Sequence, residues 1–127
     1  MPKLDFAATG QWLDEVAASH CRTIRRLSYV FCDDAAILDI NRQFVHHDYY
    51  TDIITFDYCR GKELFGEIYI SLDTVASNAR LLGQSFDREL HRVIAHGLLH
   101  LCGIDDKGPG EREIMEANED AALALLS

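Results

Sequence analysis

The 127-residue chain has only two prolines and eight glycines and never gathers them into a linker, and it contains no repeat and no low-complexity tract. Nothing therefore marks a domain boundary, and a chain of this length is expected to be a single domain spanning 1–127 with room for one substantial core. It has no run of about 18 uninterrupted apolar residues, which argues against a membrane span. The opening "MPKLDFAATGQWLDEV" lacks the basic-then-apolar layout of a secretory signal, so the expected compartment is the cytoplasm. Cysteine is sparse and unpaired in pattern: Cys21, Cys32, Cys59 and Cys102 include no C-x-x-C and stand mostly among apolar neighbours. They are expected to be buried, free thiols behaving as small hydrophobes.

Positive charge is outnumbered, with 12 Lys and Arg against 21 Asp and Glu and a net charge of -9. Broad, non-specific attraction to nucleic acid is built from phosphate-neutralising Lys and Arg, so any RNA partner must be met by a local patch. "CRTIRR", with Arg22, Arg25 and Arg26 ahead of a strand, is the best local candidate, although such a run is commonly just a solvated surface.

What is present alternates in type. Residues 8–22 place Trp12, Val16 and Ala17 at helical spacing, and "RLSYVFC" reads as a buried strand. Asp33 and Asp34 can cap the helix "AAILDINRQFVH". "DIITFDYC" and "FGEIYIS" follow as strands joined through a turn at Arg60-Gly61-Lys62. Ser71 caps a helix running to about Leu82, "FDRELHRVIAHGLLHLCG" is a long apolar helix closed by Gly103, and "GEREIMEANEDAALALL" is a final amphipathic helix. This order predicts an α+β fold with one mixed sheet of about four strands. The helix of His96 and His100 would be packed across the sheet and bound a cleft at a sheet edge.

The chemistry concentrates in "AHGLLHLCGIDD". His96 and His100 lie about 40° apart on one helical face, a single turn from each other, which suits two ligands of one metal ion. Two imidazoles on a rigid helix are half of a usual zinc site, and a third ligand must arrive from elsewhere. Gly103 reverses the chain, so either Asp105 or Asp106 can fold back to the pair, although "DDKG" is also a good solvated turn. Cys102 lies about 160° round the helix from the histidines and is expected in the core. Gly97 stands where zinc proteases of the H-E-x-x-H type carry their glutamate base, so a peptidase mechanism loses its base.

Three stretches, "INRQFVHHDYYTDIITFDY", "GEIYIS" and "HGLLHLCGIDD", together resemble the YbeY endoribonucleases, which mature ribosomal RNA in bacteria. The resemblance runs from about Ile40 to Glu116. It implies a zinc ion held by three residues, two of them His96 and His100, with the family's third histidine falling on Asp106. A His₂-carboxylate set is itself a recognised catalytic zinc arrangement, and its added charge would admit Fe, Mn or Ni more readily. The family's helix arginine falls on Val45, so a phosphate-balancing cation must come from elsewhere, with Arg92 and Arg42 as candidates. Glu67 stands where the family prefers aspartate and is the candidate base if it lines the cleft.

The implied activity is metal-assisted hydrolysis of an RNA phosphodiester in ribosomal RNA maturation and ribosome assembly, with RNA and the small ribosomal subunit or its proteins as partners. His46, His47 and Asp48 could touch RNA, although a helix-ending "HHD" is commonly a solvated cap. Two rival expectations are a non-catalytic ribosome-assembly factor with a structural metal, favoured by Val45, and a metal-dependent hydrolase of a smaller substrate, favoured by the acidic charge.

Overall fold

A computed structural model describes residues 6–40, 53–104 and 109–126. The elements run α1 (Phe6–Ser19), β1 (Thr23–Cys32), α2 (Asp34–Ile40), β2 (Ile53–Asp57), β3 (Glu63–Ser71), α3 (Leu72–Leu82), α4 (Phe86–Leu101) and α5 (Glu111–Ala124). The architecture is α+β, as its alternating patterns predict.

The sheet has three strands among the described residues, in the order β1-β3-β2, where about four were expected. Only three described runs carry strand-type alternation, and the remaining apolar runs have helical period. β3 is central, parallel to β1 and antiparallel to β2, so the sheet is mixed as expected. Alternation along β3 sends Leu64, Gly66, Ile68 and Ile70 into the core and Phe65, Glu67 and Tyr69 to the opposite face. β1 keeps its own register with a bulge at Arg25, which lets Ile24 and Leu27, three positions apart, both pack on the core.

Several boundaries follow from local chemistry visible in the sequence. Asp33 Oδ1 accepts from the Ala36 N–H at 2.8 Å and starts α2, and Ser71 Oγ accepts from the Thr74 N–H to start α3. The β2–β3 hairpin closes at Arg60 and Glu63 through reciprocal backbone bonds of 3.0 Å with Gly61 left-handed. Gly103, at φ 92°, ends α4 and donates to the His100 carbonyl. α1 ends earlier than the periodicity suggests, at Ser19 rather than near residue 22. Cys21 takes the left-handed conformation (φ 59°) there and the Arg22 N–H turns back to the Ala17 carbonyl.

Trp12, Val16 and Ala17 are buried as expected, and Trp12 Nε1 donates to the Ala122 carbonyl at 2.8 Å, tying α1 to α5. The expectation of four buried thiols holds only in part. All four cysteines are free, but only Cys102 is buried, Cys21 is exposed at its turn, and Cys32 and Cys59 are half-buried near strand ends. No helix among the described residues is long and apolar enough to cross a membrane.

Two glycines set how closely α4 lies on the sheet. A Cβ on Gly97 would stand 2.8 Å from Ile53 Cδ1 and 2.9 Å from Ile68 Cδ1, and one on Gly66 would stand 2.9 Å from both Leu101 Cδ1 and the Phe56 carbonyl. The helix that carries both histidines is thus seated directly against β2 and β3.

Candidate metal centre

α4 is built with two faces. Leu90, Val93, Ile94, Leu98 and Leu101 are buried, and Gly97 seats on the sheet. Glu89, Arg92, His96 and His100 recur at intervals of three, four and four and share a stripe about 80° wide. Ser85 starts the helix by accepting from the Arg88 N–H at 3.1 Å, which fixes the register that aligns this stripe.

The two imidazoles meet as the spacing predicts, with ring centroids 4.6 Å apart and planes at 80°. His96 Nδ1 lies 2.6 Å from Oε2 of Glu119 on α5. The Nδ1 edge of the ring is thereby engaged by a carboxylate of α5, and Nε2 is the nitrogen on the opposite edge of the ring. Glu119 brings α5 against this ring, while the sequence expected the histidine helix to bound a cleft at a sheet edge. The chemistry of this donor pair fits a zinc ion: two imidazoles on one rigid turn, one of them with its Nδ1 edge held by a carboxylate.

Arg92 is enclosed by carboxylates. Its Nε and one terminal nitrogen donate to the two oxygens of Glu89 at 2.7 and 2.5 Å, and its other terminal nitrogen donates to Glu119 Oε1 at 3.1 Å. Glu89 is wholly buried and Glu119 is 4% exposed, so these are charge-assisted bonds shielded from water. The bonds to Glu89, opposed by burial and reinforced by the charge of Glu119, hold the guanidinium above its ordinary pKa. The sequence offered Arg92 as a cation for substrate phosphate; the structure gives one bond from each of its three nitrogens to two glutamates.

Glu67 is not brought to the histidines. Its neighbours Gly66 and Ile68 face α4, so Glu67 points to the other face of the sheet, where its carboxylate accepts from the Tyr58 hydroxyl at 3.3 Å. A cleft of about 610 Å³ opens there, lined by Arg26, Ser28, Tyr58, Arg60, Phe65 and Glu67. Of the "CRTIRR" arginines only Arg26 lines it. Arg25 pairs with Glu63 at 3.1 Å, and Arg22 reaches back to the Cys102 carbonyl. Cys102 itself sits in the core, as its helical angle predicts, and burial pushes its thiol up to about 11.

Asp105 and Asp106 lie outside the described residues, as do Arg42, Val45, His46, His47 and Asp48. Among the described residues no three potential ligands come together, the histidine pair being two of the expected set. Sequence reasoning missed Glu89 and Glu119. Both had a signal: each is a carboxylate on a buried helical stripe, Glu119 in step with Met115 and Ala122, where an unpaired charge is not tolerated.

Comparison with known proteins places the chain in a family. A family model described as "Endoribonuclease YbeY" matches residues 5–127. The endoribonuclease YbeY of Phocaeicola vulgatus is 60% identical over 127 residues, covering 100% of this chain and 92% of that protein. The endoribonuclease YbeY of Bacteroides thetaiotaomicron is 57% identical over 125 residues, covering 98% of this chain and 91% of that protein. Among solved structures, the solution structure of TM1509 from Thermotoga maritima superposes with a TM-score of 0.68 at 25% identity, covering 98% of this chain and 84% of that one. By the extent of the family match and the identity to these relatives, the chain belongs to the endoribonuclease YbeY family.

Proposed function

We propose that the protein is a metal-dependent endoribonuclease acting in ribosomal RNA maturation, with one zinc or similar transition-metal ion held by His96, His100 and Asp106. Family membership supports the ribonuclease reading, since the relatives carry that name. The observation that carries the metal reading is the His96–His100 pair itself, one turn apart with the Nδ1 of His96 taken by Glu119. When bound, the ion lowers the pKa of a water and polarises a phosphoryl oxygen of the substrate.

The chain's own residues do the rest. α4, seated on the sheet by Gly97, holds the two rings in fixed relation, and Glu119 holds the Nδ1 edge of the His96 ring. Arg92 supports Glu119, which leaves Arg42 as the candidate for balancing charge on the phosphate. Arg26 and Arg60 form no ion pair among the described residues, and they line the open cleft with Tyr58 and Phe65. In a chain this acidic, two unneutralised cations beside aromatic rings suit contacts to a single RNA strand away from the reacting bond, by phosphate pairing and base stacking. Glu67 belongs to that surface in this reading.

A second reading is a ribosome-assembly factor that binds the small subunit or its proteins without turnover. The engagement of Arg92 by two glutamates favours it, because a phosphate-cleaving site needs a cation free to meet developing charge. Cleavage of structured RNA by wild type, His96→Ala and His100→Ala, each shown to be folded by circular dichroism, separates the two. Cutting by wild type alone supports the nuclease. RNA or subunit binding with no cutting by any of the three refutes it in favour of the assembly factor.

A further inference from the structure

We infer that Glu119 is the positioning residue of the metal centre, braced by Arg92 and Glu89, and that through it the docking of α5 and the capture of the ion are a single coupled event. The inference rests on the metal-centre reading above and goes beyond it to residues outside the ligand set.

Both oxygens of Glu119 are occupied. Oε2 receives the Nδ1 proton of His96 at 2.6 Å and Oε1 receives a guanidinium N–H of Arg92 at 3.1 Å, so the carboxylate cannot rotate without losing one bond. Arg92 cannot swing away either, because Glu89, wholly buried, grips it through two nitrogens at 2.7 and 2.5 Å. The chain Glu89, Arg92, Glu119, His96 thus transmits the rigidity of α4 back to a ring of α4 by way of α5. What it fixes is the ring edge: with Nδ1 engaged by Glu119, a metal ion must be taken through Nε2.

Charge points the same way. The bonded set holds two glutamates against one arginine, and a divalent cation bound through the His96 ring is a natural complement to so acid-rich a surrounding. The ion in turn polarises the ring and strengthens the Nδ1–H bond to Glu119. Since Glu119 is on α5 and the other three residues are on α4, strengthening that bond holds α5 in place. By linkage the effect is reciprocal, so a docked α5 raises metal affinity as much as metal stabilises docking.

The test uses the full chain. Zinc affinity is measured by competition with a chromophoric chelator for wild type and Glu119→Gln, with Arg92→Lys as a milder variant. The tautomer of His96 is read by long-range ¹H–¹⁵N NMR in the metal-free protein, and exchange of α5 amides is followed with and without zinc. The expected result is a proton on Nδ1 in wild type and a mixture of tautomers in Glu119→Gln. Zinc affinity falls about tenfold to a hundredfold in that variant, and zinc slows α5 exchange in wild type far more than in it. Equal zinc affinity in wild type and Glu119→Gln, or α5 exchange that ignores zinc, overturns the inference while leaving the metal centre intact. A wild type that binds no zinc overturns the metal-centre reading itself. Should Glu119→Gln fail to fold, Arg92→Lys and the wild-type tautomer decide: an Nε2–H ring in the metal-free wild type refutes the positioning role.

Discussion

Replacing Gly97 by alanine tests the packing that seats both histidines, and its sign is not what helix propensity alone predicts. In an exposed helix interior, Gly→Ala is favourable by about 1 kcal/mol. Here the new Cβ would stand 2.8 Å from Ile53 Cδ1, 2.9 Å from Ile68 Cδ1 and 3.0 Å from Ile68 Cγ2. Ile53 is half-buried and its terminal methyl can move, but Ile68 is wholly buried and β-branched, so Cγ2 can retreat only if the strand or the helix shifts. Overpacking of this kind costs about 1–3 kcal/mol, which outweighs the propensity gain and leaves a net loss of about 1 kcal/mol. For a domain of this size that lowers Tm by about 4 °C. Thermal denaturation followed by circular dichroism measures it. A double mutant with Ile68→Val, which removes the Cδ1 contact, is expected to be less destabilised than the sum of the single changes. A rise in Tm for Gly97→Ala, or strict additivity in the double mutant, would show that α4 stands off the sheet and would refute this seating of the site.

Two further predictions concern charge. Burial holds the Cys102 thiol at about 11 against an ordinary 9.0, and burial also raises Cys32, Cys59 and Tyr29, so the folded chain keeps protons that the unfolded chain gives up. Stability is therefore full below pH 9 and declines as pH rises to about 11, with Cys102 contributing about 1–2 kcal/mol of the loss. Denaturant unfolding across this range is expected to show a shallower decline in Cys102→Ala; equal slopes would place that thiol in water. Arg26→Ala with Arg60→Ala is expected to weaken binding of a single-stranded RNA and reduce the slope of log affinity against log salt by about 1.4, two phosphate contacts at roughly 0.7 each. An unchanged slope in fluorescence anisotropy would remove the open cleft from the RNA surface.

The parts of the fold legible in the sequence are those decided by neighbours along the chain. Asp33, Ser71, Gly61 and Gly103 each mark a boundary through a bond or backbone angle within three or four residues, and each does so in the structure. The histidine pair was legible for the same reason, since one helical turn places both rings. The end of α1 was not, because it depends on Cys21 adopting a left-handed angle that glycine or asparagine would normally advertise. Nor was the bulge at Arg25, which is settled by register against β3, 38 residues away at Glu63. The role of Arg92 was half-visible. Glu89, three residues before it, is in plain sight as a helical partner, but only the fold brings Glu119 from α5 to meet a further donor of Arg92 and His96. A cation read as free in one dimension is thereby neutralised in three.

Metal content tests the central claim most directly: mass spectrometry under native conditions on untagged protein purified without chelator, for wild type, His100→Ala and Asp106→Ala. The account predicts one zinc or similar transition-metal ion per wild-type chain and its loss from both variants with the fold retained. A folded wild type carrying no stoichiometric metal would contradict it, leaving "HGLLH" as a core helix whose His96 ring bonds Glu119 for packing alone.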